Sequence, residues 1–192
     1  MRIVSGRFRG RTIDAPTGEG TRPTTDRVRE ALMSSLNSLC GGFEGARVLD
    51  AFAGSGALGF EAISRGAAFA LLFERDRKAQ KTIERNMAAL KLSPAEVRLA
   101  RQDVMKTAGV IAGGPFDIVF LDPPYAFAPT DVLGFVVALE KAAGLAPGAV
   151  VVYEHALTSR GDVQAAAQEL GFSIEVEKKY GKTGVTMMRF NQ

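Results

Sequence analysis

The sequence predicts a doubly wound α/β fold, a mostly parallel sheet of seven strands ending in an antiparallel hairpin. Three observations predict it. From Ala46 onward, short apolar runs alternate with segments of helical periodicity. The runs are apolar almost without interruption, as strands are when helices cover both sheet faces. The last two runs are joined only by Gly181-Lys182-Thr183-Gly184, a turn short enough to pair them antiparallel.

Residues 2–13 alternate small or apolar residues with arginines and read as a short basic β-hairpin turning near Gly6 or Gly10. A Pro/Gly-rich loop, Ala15 to Pro23, follows. Thr24, Thr25 and Asp26 supply N-cap chemistry for a helix with Val28, Leu32, Ser35, Leu36 and Leu39 on one face, stopped by Gly41 and Gly42. Strands are expected at 46–52, 69–74, 96–100, 116–121 and 148–153. Helices between them are expected at about 57–65, 76–91, 104–112 and 130–143. A further helix at about 160–169, stopped by Gly171, precedes the hairpin strands 172–179 and 183–190.

With 192 residues, 46% hydrophobic and 23% charged, the chain has the size and composition of one globular domain. We expect residues 1–23 to form a basic hairpin and loop, 24–42 a helix, and 46–192 the α/β core. No apolar run is long enough for a membrane helix, and the basic start has no apolar stretch behind it, so a soluble cytoplasmic protein is expected. Lone Cys40 and lone His155 have no metal-ligand companions, so no metal is expected. Residues 1–29 hold seven arginines against three acids, whereas the remainder holds 17 basic and 18 acidic groups. Such an arm on a near-neutral body suits a polyanion, although solvated arginines would give the same count.

Val48-Leu49-Asp50-Ala51-Phe52-Ala53-Gly54-Ser55-Gly56-Ala57-Leu58-Gly59 places Gly-x-Gly-x-x-Gly between a strand and a helix. Glycines there allow a tight turn and let a ligand lie against the backbone. Asp50, just before the loop, would repel a pyrophosphate but could bind an amino acid's ammonium group. Glu74 ends the next strand, where a carboxylate can accept both hydroxyls of a ribose. Asp103, after the third strand, can accept from an adenine amino group or cap the helix expected from Val104. Together these favour an adenosine-containing ligand, with Phe52, Gly54, Gly56, Arg75 and Val104 placed beside it.

The sharpest signal is Asp122-Pro123-Pro124-Tyr125, directly after the apolar run Phe116–Leu121. Two consecutive prolines fix a rigid extended turn at the strand's carboxyl end. An exocyclic amine of a base is a poor nucleophile because its lone pair is delocalised into the ring. Attack on a sulfonium methyl needs that nitrogen held in line while it becomes tetrahedral. The Asp122 carboxylate and the Pro123 carbonyl can accept its two N–H bonds and stabilise the growing positive charge. Tyr125 can stack on a base flipped out of its helix. The departing proton can go to Asp122 or to water.

In that order, the glycine loop and Asp-Pro-Pro-Tyr resemble amino-methyltransferases of DNA and RNA bases. Three further segments are similar to the RsmD family: Arg22-Pro-Thr-Thr-Asp-Arg-Val-Arg-Glu-Ala-Leu32, Asp50-Ala-Phe-Ala-Gly-Ser-Gly-Ala-Leu-Gly-Phe-Glu-Ala62 and Ser64-Arg-Gly-Ala67. The resemblance spans nearly the whole chain, loosest at Lys178–Val185, where Lys182 has no assigned role. It implies a class I methyltransferase (Rossmann-like) fold and S-adenosylmethionine as methyl donor, leaving as S-adenosylhomocysteine. The implied reaction is methylation of the N2 of one guanine in 16S rRNA, within the 30S subunit or its assembly intermediates, by a monomer. It further implies that the donor's methionine end lies near Thr24 and Arg27, at a helix start suited to a carboxylate. Arg7, Arg9, Arg11 and Arg22 would grip RNA phosphates.

Asp-Pro-Pro-Tyr chemistry serves adenine N6 and cytosine N4 as well, so these bases in RNA or DNA stay open. The chain offers no target-recognition domain of useful size, which counts against a DNA restriction-type enzyme. A nucleotide-binding oxidoreductase would leave Asp-Pro-Pro-Tyr unexplained. A non-catalytic RNA-binding assembly protein would have no use for Asp122 and Tyr125.

Overall fold

A computed structural model describes residues 1–15, 26–107 and 110–190. The seven strands run in the order β3-β2-β1-β4-β5-β7-β6. The chain divides into two compact units, Met1–Val104 and Met105–Gln192.

In the first unit, α1 (Asp26–Cys40) buries Leu32, Met33 and Leu36 on one stripe. It ends where Gly41 and Gly42 take positive φ and the Gly42 N–H reaches back to Asn37 O at 3.0 Å, a Schellman closure that L side chains would resist. Then come β1 (Arg47–Asp50), α2 (Ala57–Ser64), β2 (Phe69–Phe73), α3 (Arg77–Ala89) and β3 (Val97–Ala100). All three strands are parallel, with β1 beside β2 and β2 beside β3. Every residue of β2 is buried, as its unbroken apolar run requires. Asp76 caps α3 by accepting from the N–H groups of Lys78 (3.1 Å) and Ala79 (2.9 Å).

The amino-terminal arm doubles back as expected, around one antiparallel bridge, Arg2 to Thr12, with backbone bonds between Met1 and Ile13 and between Ile3 and both Arg11 and Gly10. Gly6 and Gly10 take positive φ in the turn. The body holds the arm as well. Ile3 and Ile13 are buried, and the Ser64 backbone and hydroxyl bond to Ser5, Arg7 and Phe8.

In the second unit β4 (Phe116–Leu121) pairs in parallel with β5 (Leu145–Ala156), crossing through α4 (Pro129–Lys141). After α5 (Arg160–Glu169), β6 (Phe172–Tyr180) and β7 (Thr183–Phe190) form the antiparallel hairpin, with β7 against β5. The hairpin turn is only Gly181-Lys182. Thr183 and Gly184 belong to β7, where a Cβ on Gly184 would come within 2.4 Å of the His155 ring. Strand β5 extends beyond the expected 148–153, because β7 pairs along it as far as Ala156.

One expected element is corrected. The helix at 104–112 is, among the described residues, only a 3-10 turn at Val104–Lys106. The segment runs into Gly113-Gly114-Pro115, which cannot propagate a helix. No helix among the described residues is long and apolar enough to cross a membrane.

Candidate active site

The first unit gathers the glycine loop and its acids into one cradle. Asp50 is the last residue of β1 and is 1% exposed. Its Oδ2 accepts the Gly59 N–H at 3.2 Å, tying the end of β1 to the first turn of α2. Burial pushes its carboxyl up to about 7, with the Glu74 charge adding to that and the Gly59 and Phe52 N–H groups opposing it.

Glu74 follows β2 directly. Its Oε2 accepts the Gly54 N–H at 2.9 Å and its Oε1 the Asp76 N–H at 2.7 Å, so the carboxylate is locked at the carboxyl ends of β1 and β2. Gly54 and Gly56 take φ of 56° and 80°. A Cβ on Gly54 would point into open space, whereas one on Gly56 would lie 2.5 Å from the Phe60 ring. Gly59 lets α2 close on β2, since a Cβ there would lie 2.4 Å from the Leu72 side chain. The three glycines thus do different work: an open backbone face at Gly54, a turn at Gly56 and helix-strand contact at Gly59.

Phe52 is half-buried within the loop, and Val104 is buried beside half-buried Asp103. Asp103 pairs with Arg75, Nη1 to Oδ2 at 3.2 Å. Arg27 is exposed in the first turn of α1, while Arg22, Thr24 and the Thr24–Thr25 cap lie outside the described residues.

A polar network that the sequence reading missed fixes the cradle to the arm. Asn86, 1% exposed, donates from Nδ2 to Ser55 O (3.1 Å) and Asp14 O (3.0 Å), and its Oδ1 accepts the Asp14 N–H at 2.8 Å. Glu61, fully buried, accepts from the N–H groups of Val4 (2.9 Å) and Ser5 (3.0 Å) and from Arg65 Nε (3.0 Å). Arg29 donates to Arg2 O and to Asp26 (2.9 Å), with its Nε 3.7 Å from Glu61. Arg29, counted above as part of a basic arm, is therefore an internal strut. Asn86 shares the buried face of α3 with Gln80 and Thr82 as well as Ala79 and Ile83, so its polarity alone did not single it out in the sequence.

The other described arm arginines stay outside. Arg7 pairs with Glu96 and lies over the Phe8 ring at 4.5 Å, and Arg11 donates to Ala89 O at 2.7 Å. Arg9 is exposed.

In the second unit Asp122 follows the last residue of β4 and is half-buried, Pro123 is buried, and Pro124 is exposed. The Phe127 N–H closes on Pro124 O at 3.0 Å, so the prolines sit in a braced turn that leads into α4 through Ala128. Tyr125 is 55% exposed, a large aromatic face held at the surface. No group of side chains that could hold a metal ion occurs among the described residues.

The family described as Conserved hypothetical protein 95 matches residues 1–189. The Bacillus subtilis protein YlbH, whose name places it provisionally among rRNA methyltransferases, is 33% identical over 98% of both chains. This chain belongs to the RsmD family. Ribosomal RNA small subunit methyltransferase D of Escherichia coli is 46% identical over 125 residues, which cover 65% of this chain and 60% of that relative. The solved structure of an Escherichia coli protein described provisionally as methyltransferase yhhF superposes with a TM-score of 0.81. That match is 34% identical and covers 100% of this chain and 99% of the other. The fold is that of the methyltransferases.

Proposed function

We propose that this protein methylates the exocyclic N2 of a guanine in 16S rRNA, using S-adenosylmethionine, on the 30S subunit or its assembly intermediates. The observation that carries the reading is the Asp122-Pro123-Pro124-Tyr125 turn. It sets a half-buried carboxylate, a carbonyl fixed by proline and an exposed aromatic face at the end of β4. The names of the relatives support rRNA as the substrate.

The donor set of the first unit fits the cofactor. Asp50 would hold the ammonium group, which its buried and undercompensated carboxylate suits, and Glu74 the ribose hydroxyls. The open backbone face at Gly54, the Gly56 turn and Phe52 would border it. Arg75, Asp103 and Val104 would border the adenine, while Thr24 and Arg27 would take the carboxylate. When bound, the cofactor supplies a methyl group on a positively charged sulfur.

The rest is the work of side chains. Tyr125 stacks on the extruded base, which replaces part of the stacking lost on flipping. The Asp122 carboxylate and the Pro123 carbonyl each accept one N–H of the amine. That pins the two hydrogens, turns the lone pair out of conjugation and balances the positive charge that develops on nitrogen. Because the prolines fix their backbone beforehand, little reorganisation is needed as the charge appears. The proton then leaves to Asp122 or to water.

The deciding experiment incubates the protein with labelled S-adenosylmethionine and 30S particles lacking the modification, followed by mass spectrometry of the nucleosides. N2-methylguanine in 16S rRNA is expected. N6-methyladenine or N4-methylcytosine would move the target to another base, and no labelled nucleoside would end the reading.

A further inference from the structure

The arm does not stand alone on the surface. Arg11 donates to the carbonyl of Ala89, the last residue of α3, and Asp14 is tied to the same helix through Asn86 and through Arg85, at 3.4 Å. On α3 the exposed residues Lys78, Lys81, Arg85 and Ala89 recur at three- and four-residue spacing, so they share one strip. Arg11 therefore adds its charge beyond the lysines, while Arg85 already faces the Asp14 carboxylate. The ridge from Lys78 to Ala89 is about 16 Å long at 1.5 Å per residue.

The acids around this ridge are already engaged. Asp76 caps the helix, Glu84 pairs with Arg101, and Glu96 pairs with Arg7. Residues 1–104 hold 17 Lys and Arg against 12 Asp and Glu, whereas residues 105–192 hold 7 against 9. The positive excess belongs to the first unit, and this strip is where α3 presents it to solvent.

We propose that the exposed strip of α3, Lys78, Lys81 and Arg85, continues the arm into one RNA-binding surface that takes the phosphodiester backbone of the substrate. The inference rests on the RNA methyltransferase reading and adds a second element to it. Ammonium and guanidinium groups spaced by one helical turn contact phosphates without reading sequence, so the ridge supplies affinity and register, while the flipped base supplies selection.

The test replaces Lys78, Lys81 and Arg85 by Gln together and measures binding to 16S rRNA across a salt series, with S-adenosylhomocysteine affinity as the control for an intact fold. The slope of log K against log salt should become shallower by about two to three units, at roughly 0.7–0.9 per lost phosphate contact. Affinity at moderate salt should fall by at least tenfold, while cofactor affinity stays within twofold. Lys81→Arg should bind as the parent does, because the charge is kept, and Lys81→Glu alone should weaken binding more than Lys81→Gln. An unchanged slope in the triple variant, with the parent protein binding and methylating RNA, would overturn the ridge alone. A parent protein that neither binds nor methylates rRNA would overturn the ridge and the proposed function together.

Discussion

Glu74 and Gly54 are joined by a 2.9 Å hydrogen bond from the loop N–H to the carboxylate, so the acid that follows β2 also sets the shape of the loop that follows β1. Its other oxygen is held by the Asp76 N–H. Replacing Glu74 by Gln puts an NH2 group against one of these two donors, and replacing it by Ala removes both acceptors. Charge-assisted hydrogen bonds of this kind contribute about 1.5–3 kcal/mol each. Glu74→Gln should therefore weaken S-adenosylhomocysteine binding about 10- to 100-fold by calorimetry, and Glu74→Ala at least as much. Equal affinity in all three proteins would remove Glu74 from the cofactor site.

Asp50 should make cofactor affinity depend on pH. Its carboxyl is raised to about 7 by burial, so below neutral pH it is largely protonated and neutral, and an ammonium group then loses its counter-charge. Affinity should rise about tenfold from pH 6 to pH 8 and level off above. Asp50→Asn should bind weakly at both values. The sign for the empty protein is opposite. A carboxyl raised on folding binds its proton more tightly in the folded state. Its contribution to stability is therefore greatest below the unfolded value near 4 and declines as pH rises toward about 7. Titration calorimetry and thermal melts at pH 5, 6, 7 and 8 check both trends.

Gly6 holds the arm against α2 in a way no other residue can. It has φ of 79°, and a Cβ there would sit 1.7 Å from the Ser64 carbonyl oxygen, which is fixed backbone. That same carbonyl accepts the Arg7 N–H at 2.7 Å. Gly6→Ala should therefore force the turn off its seat, at about 1–3 kcal/mol. We expect a lower melting temperature and weaker RNA binding, because Arg7, Arg9 and Arg11 lose their fixed positions, with cofactor affinity changed less than threefold. Unaltered RNA affinity in a demonstrably displaced arm would make those arginines bystanders.

The parts legible in the sequence were those whose cause is local. Hydrophobic periodicity marked every strand, and the Gly54, Gly56 and Gly59 spacing marked the loop, because turn geometry demands glycine within a few residues. The Asn86 clamp and the Arg29–Glu61 strut were not legible, because each partner's role depends on a group far away in the chain. Glu61 meets Val4 and Ser5, and Asn86 meets Asp14 and Ser55. Arg29 read as surface charge because nothing near it in sequence announces a buried carboxylate. The helix expected after Val104 failed for a local reason that periodicity underweighted, the breakers Gly113-Gly114-Pro115 close behind it.

In the proposed reaction the turn at the end of β4 divides binding from chemistry. Asp122 is half-buried where β4 ends, and Tyr125 is exposed three residues on, which suits the proposed roles of hydrogen-bond acceptor for the amine and stacking face for the base. Asp122→Ala removes one of the two acceptors that align the amine, and losing one preorganised hydrogen-bonding group from a reacting centre lowers kcat by about 10²–10³. Turnover on 30S particles should fall by that factor or more, with S-adenosylhomocysteine affinity within threefold of the parent. Tyr125→Phe keeps the stacking face and should retain most activity. Tyr125→Ala should lose about 1–3 kcal/mol of base stacking, seen as weaker use of RNA rather than of cofactor. Single-turnover methyl transfer on these three variants, beside calorimetry with the cofactor product, separates the roles. A variant lacking the Asp122 carboxylate that turned over at the parent rate would show that the amine is oriented by other groups.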